Sequence, residues 1–330
     1  MFSKVKIILL SVFLFIMFSC GSDEISEENS SVGKSSNVAP GLESNSGSSS
    51  GSKENVFRIN FSDPPTFDPH LVTDTTSASI IVEIFSGLVT LNKDLDIIPD
   101  LAESWSISED AKVFTFNIRK NAKWHDGKSF TSDDVAFTVM NVLKKFHPRG
   151  PNSFREVTSI DTPDSHTAIF NLRNPAPYML RALSAYESPI VPKHLLEGTD
   201  IKSAKLGNNP VGTGPFKFVE WKKGQYVRLD KNKNYWRPGL PYLDRVVGRF
   251  VPDASTRTAA MENGEVLYAA YNAVPNIDAV RLKERDDISV TTDGYSMINP
   301  VALIEFNAKE GPFANTAVRR AISLLSLIHI

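Results

Sequence analysis

Apolar and polar positions first alternate in VFRINF, with Phe57, Ile59 and Phe61 on one side and Val56, Arg58 and Asn60 on the other. A period of two predicts a half-buried strand over 56–61, stopped by the Pro-rich run SDPPTFDPH. The period then changes. Ile80, Ile81, Ile84, Phe85 and Leu88 share one face of a helix predicted over Ser77–Leu88. Val113–Arg119 reads as a strand with Phe114, Phe116 and Ile118 on its apolar side, and Asp126-Gly127 as a turn. Thr131 and Asp134 have the spacing of a capping box. They open a helix whose stripe is Val135, Val139, Val142, Leu143 and Phe146, ended by Pro148. Strands follow near Ala168–Leu172, Phe216–Trp221 and Val227–Leu229, and Asp253 caps a helix running to Asn263 with Gly264 as its stop. Strands and helices mix throughout, which predicts an α/β (mixed α+β) body without internal repeats.

The N-terminus has a different pattern. Lys4 and Lys6 precede the uncharged run Ile7–Phe18, and Ser19 precedes Cys20. This is the layout of a secretory signal, too short in its apolar part to span a bilayer. Cys20 is the only cysteine, so no disulfide framework exists. A small residue before a cysteine suits lipoprotein processing, which would leave Cys20 as a lipid anchor; the alternative is an ordinary signal with a chance cysteine. The expected division is a lipoprotein signal peptide over 1–19, a tether over 20–54 and a folded body over 55–330. The tether is rich in Ser, Gly, Asn and Glu and lacks aromatic residues, so it cannot bury enough surface to offset chain entropy.

Charge narrows the partners. With 36 basic and 38 acidic residues the chain lacks the basic excess of a nucleic-acid binder. Catalytic motifs are missing too. VGTGPFK fails as a phosphate loop, because Lys217 is not followed by Ser or Thr and Pro215 removes a backbone donor; Gly212 and Gly214 read as turn residues. The six histidines have no metal-ligand spacing. His125-Asp126 reads as structural beside a turn. No G-x-S-x-G elbow offers a nucleophile. The chain reads as a binder, not an enzyme, with no cofactor.

Four blocks carry a resemblance. They are IIPDLAESWSISEDAKVFTFNIRKNAKWHDGKSFTSDDVAFTVMNVL, NPVGTGPFKFVEWKKGQYVRLDKNKNYW, GLPYLDRVVGRFVPDASTRTAAMENGEV and LIEFNAKEGPFANTAVRRAIS. In this order, from about Phe57 to Ser323, the chain resembles the family 5 extracellular solute-binding proteins, the dipeptide-, oligopeptide- and nickel-type receptors of ABC importers. The resemblance implies a periplasmic-binding-protein-like type II fold, whose two lobes close over a solute. It further implies delivery to permease subunits with a separate ATPase, a monomeric receptor, and a place in the cell envelope on the periplasmic or extracellular face. Two departures stand out. Leu267 follows GEV where the family often has an acidic residue, and VRRAIS runs into LLSLIHI. The second lobe is therefore expected to be largely missing, and the last residues to fall outside the natural frame.

Short peptides are the expected solute, as the commonest class of the family. Alternatives are a metal chelate, an opine-like compound or an oligosaccharide, or a surface sensor or adhesin without a permease; a secreted hydrolase is more remote. Three segments are candidates for the ligand site. Thr75, Thr76 and Ser77 open a helix after the Pro-rich loop, where free N–H groups suit a carboxylate, unless Thr76 or Ser77 simply caps it. Tyr186 and Glu187 precede Pro189, and the Tyr either meets ligand or packs in the core. Tyr295 and Ser296 resemble the crossover toward the second lobe. The acidic residue that holds a peptide amine in related receptors belongs to that second lobe.

Overall fold

The computed structural model describes residues 54–204, 206–269, 273–293 and 304–325. Cys20, nearly all of the expected signal and tether, and both Tyr295 and Ser296 lie outside the described residues. The first half of the chain runs β1 (Val56–Phe61), α1 (Thr75–Ile84), β2 (Val89–Leu91), β3 (Ile97–Pro99), β4 (Ala102–Ile107) and β5 (Val113–Ile118). Next come α2 (Ser132–Phe137), a π-helical stretch (Thr138–Leu143), α3 (Lys144–Phe146), α4 (Gly150–Ser153), β6 (Val157–Asp164), β7 (Thr167–Leu172), α5 (Met179–Ala182) and α6 (Lys193–Leu196). The rest holds β8 (Phe216–Lys222), β9 (Tyr226–Lys231), β10 (Arg245–Phe250), α7 (Ala254–Glu262), β11 (Tyr268–Ala269), α8 (Asn276–Leu282) and α9 (Thr316–Leu325). None of the described helices is long and apolar enough to cross a membrane.

Two main sheets organise this mixed α/β body. One has the order β11-β1-β10-β9-β8, with β1 parallel to both of its neighbours and β10, β9 and β8 antiparallel. The other is antiparallel, β4-β5-β7-β6. β1 departs from the half-buried expectation. Ile59 and Asn60 point to opposite faces, yet both are buried, because parallel neighbours and the elements that connect them cover both sides of the strand. β5 follows its alternation: Phe114, Phe116 and Ile118 are buried, and Phe116 meets Phe170 of β7 edge-on at 5.2 Å between centroids.

α1 starts two residues earlier than its apolar stripe predicts. Asp74 is the cap, accepting from the Ser77 N–H at 2.8 Å, so neither Thr76 nor Ser77 has that role. The helix also stops at Ile84, short of Leu88. Its last carbonyls meet the VGTGP loop, where the Gly214 N–H donates to the Ile84 carbonyl at 2.8 Å. Phe85 and Leu88 remain fully buried past the helix end. α7 matches its reading, with the Asp253 carboxylate accepting from the Thr256 N–H at 2.7 Å and Gly264 at φ 68° just beyond.

The stripe from Val135 to Phe146 does form one continuous helix, but its middle is π-helical and not α-helical. The helix spans two cores. Val135, Val139 and Leu143 pack with β5 and β7, whereas Phe137 and Val142 pack with α1 and β8–β10. A wider π turn lets neighbouring positions serve both directions. Thr138 pins the stretch: its hydroxyl donates to the Asp134 carbonyl at 2.7 Å and accepts from the Val191 N–H at 3.1 Å.

Candidate functional site

The loop from Ser62 to Asp74 connects β1 to α1 and is held from several sides. The Asp63 carboxylate accepts from Trp221 Nε1 at 3.0 Å and from the Gly224 N–H at 2.8 Å. Phe67 is buried edge-on against Trp221, and Asp68 accepts from the Gly207 N–H. His70 is fully buried and its Nε2 donates to the Ile201 carbonyl at 3.0 Å. Burial holds His70 below the usual imidazole range, against the smaller pull of Asp68. Prolines at 64, 65 and 69 remove conformational freedom that these contacts would otherwise have to restrict.

This loop is joined to the expected Tyr186–Glu187 segment through two residues that the sequence does not single out. His147, 3 % exposed, donates from Nε2 to the Val72 carbonyl at 3.0 Å and accepts at Nδ1 from the Arg149 N–H at 3.2 Å. The Arg149 guanidinium then lies 3.1 Å from the Glu187 carboxylate, both side chains being more than a third exposed. Among the described residues, the two terminal Nη groups of Arg149 have no hydrogen-bond partner. An exposed pair of this kind adds at most about 1 kcal/mol to stability. The Arg149 Nε that faces Glu187 is buried and makes no hydrogen bond of good geometry, so the pair is weakly held.

The candidate residues fare differently. Thr75 is exposed and Thr76 half-buried at the start of α1, whereas Ser77 is buried with its hydroxyl unpartnered. Tyr186 packs against the core that contains α1, which favours its structural reading. Glu187 is brought toward the α1 loop by Arg149 and His147. The only sequence cue for these two is a His-Pro-Arg run at a helix stop. A groove of about 470 Å³ lies elsewhere, floored by Phe137, Met140, Leu196 and Ile201 and rimmed by the Lys193–Asp133 pair at 3.4 Å. No candidate residue reaches it.

His125-Asp126 is a structural device. The His125 N–H donates to the Gly212 carbonyl at 2.8 Å, its Nδ1 accepts from the Gly212 N–H at 3.2 Å, and its Nε2 donates to the Gly214 carbonyl at 3.1 Å. Asp126 turns away to His194 at 2.7 Å. Gly212 and Gly214 are not left-handed turn glycines; they give the loop room to touch the end of α1. Burial pushes the His125 imidazole down to about 4, and Lys217 adds to this. A protonated ring would lose its acceptor for Gly212. A histidine lowered by folding contributes stability that is complete above its unfolded value of 6.5 and fades as pH falls toward 4. That contribution is about 2–3 kcal/mol. Urea unfolding at pH 7 and pH 4 is therefore expected to show a smaller acid loss in His125→Gln than in the natural chain. Equal losses would contradict the clasp.

Among the described residues no group of three His, Cys, Asp or Glu side chains stands together as a metal site. Residues 96–325 match the family described as bacterial extracellular solute-binding proteins, family 5 middle. The oligopeptide-binding protein AppA of Bacillus subtilis is 31% identical over 270 residues, which cover 79% of this chain and 48% of AppA. The structure of AgaA from A. tumefaciens R10 with agropinic acid superposes with a TM-score of 0.62 at 36% identity, over 71% of this chain and 46% of that one. NikZ of Campylobacter jejuni in complex with Ni(L-His) gives a TM-score of 0.56 at 29% identity, over 64% of this chain and 42% of NikZ. The chain spans about half the length of the curated relatives it matches.

Proposed function

The chain belongs to the family 5 bacterial extracellular solute-binding proteins, and from that premise we propose that it captures a small solute bearing a carboxylate, with short peptides as the first class. The carrying observation is the His147–Arg149–Glu187 link between Val72, in the loop before α1, and the 184–188 turn. It sets a guanidinium with open donors beside a carboxylate, a pair suited to the two charged ends of a zwitterion. The solute passes to ABC permease subunits served by a separate ATPase, and is not altered on the way. AppA, named for oligopeptides, supports the peptide class. A second reading rests on AgaA and NikZ, whose structures hold agropinic acid and Ni(L-His). An opine or an amino-acid chelate would offer Arg149 the same carboxylate.

NMR titration reads weak binding and separates these classes. A tetrapeptide, agropinic acid and nickel–histidine are each titrated into the labelled protein, following the amides of Thr75, Arg149 and Glu187. Shifts with the tetrapeptide support peptide capture. Shifts with only one of the others keep the site and change the class, and no shift with any of the three contradicts the site. Anchoring through Cys20 belongs to the same proposal. The expected mass of the N-terminal peptide from an envelope fraction includes a lipid on Cys20; an unmodified cysteine rejects it.

A further inference from the structure

His147 is buried, and both of its ring nitrogens are engaged by backbone groups. Val72 offers only a carbonyl, so Nε2 must carry a proton. Arg149 offers only an N–H, so Nδ1 must be bare. The two partners thus select the neutral Nε2–H form. They also come from different parts of the chain: Val72 from the loop before α1, Arg149 from the loop after α3.

Resting on the solute-binding reading of this site, we propose that His147 is its positioning residue: the neutral ring ties Arg149 to the α1 loop and so sets where the guanidinium meets a solute. Charged groups face the ring from each of these sides. Arg149 lies on its own loop, Glu187 comes from the 184–188 turn, and His70 comes from the α1 loop with Asp68 beside it. Burial is the largest influence and holds His147 below the ordinary imidazole value. The Val72 carbonyl and Glu187 pull it up; Arg149 and His70 push it further down. The link is therefore complete above the unfolded histidine value and lost as pH falls through the lowered one. Protonation puts a donor at Nδ1, facing the Arg149 N–H, and the bond breaks.

Two substitutions separate the ring's contacts. His147→Asn keeps an acceptor near the place of Nδ1, whereas His147→Gln keeps a donor near that of Nε2. The experiment follows ring ¹⁵N shifts of His147 and the Arg149 amide from pH 8 to pH 4 in the full chain. The expected result is an Nε2–H ring at neutral pH. The Arg149 amide should move and exchange several-fold faster as that ring protonates. In His147→Asn the amide should stay in place across the range; in His147→Gln it should be released throughout. An Nδ1–H ring at neutral pH, or an Arg149 amide that ignores the ring's titration, overturns the proposal. If the variants fail to fold, the natural chain's titration still decides. No solute is needed, so a protein that shows this titration but binds none of the tested solutes counts against the functional reading and leaves the positioning intact.

Discussion

Replacing Gly212 by alanine is expected to remove about 3 kcal/mol of stability or more, through overpacking and the loss of several hydrogen bonds at once. A Cβ at this position would lie 1.9 Å from the Ile84 carbonyl oxygen, 2.7 Å from its carbon and 3.2 Å from Phe85 Cα. All three are backbone atoms at the end of α1, so no flexible side chain can give way. The loop would have to retreat. Retreat breaks the Gly214-to-Ile84 bond and both bonds between Gly212 and His125. Gly239 supplies the contrast: it sits at φ 80° with nothing within 4 Å of a Cβ, so alanine there adds only conformational strain, about 1–2 kcal/mol. Urea midpoints of the two variants at unchanged slope read the difference. A loss below about 1 kcal/mol for Gly212→Ala would mean that the loop yields easily and is no fixed platform for α1.

Much of the fold is legible because it is local. The alternation of β5, the Asp253 cap with Gly264 and the stripe from Val135 to Leu143 each depend on residues a few positions apart. Non-local neighbours explain what differs. β1 lies inside its sheet because β10 and β11, distant in sequence, pair with its two edges. The π stretch reflects two cores pulling on one helix and the Thr138–Val191 contact. Gly212 and Gly214 look like turn glycines in sequence, and only the packed end of α1 reveals why a side chain is excluded. The candidate site divides likewise. Glu187 and the start of α1 are visible as polar positions next to proline-rich runs. His147 and Arg149, which join them, have a helix-stop proline between them and no pattern of their own. Their partners lie far away in sequence, at Val72 and Glu187.

The second large effect concerns Arg149. Its guanidinium is partly exposed and lies 3.1 Å from a carboxylate of similar exposure, and among the described residues no other group pairs with it. A solute carboxylate engaging its Nη donors gains charge-assisted hydrogen bonds, each about 1.5–3 kcal/mol. Solvent screening at this exposure places the loss in Arg149→Ala at the lower end, about tenfold in Kd. Arg149→Lys keeps the charge and loses the planar fork, so an intermediate weakening is expected. Glu187→Gln frees Arg149 from its competitor without removing it, and should leave a singly anionic solute bound at least as well. Neither group supports the core, so all three variants should unfold at nearly the natural urea concentration. The most direct measurement is the Kd of one carboxylate-bearing solute from the titration panel, compared between the natural chain and Arg149→Ala at pH 7. The predicted result is a weakening of about tenfold or more in a protein of unchanged stability. An unchanged Kd would contradict the placement of the solute at the Arg149–Glu187 junction.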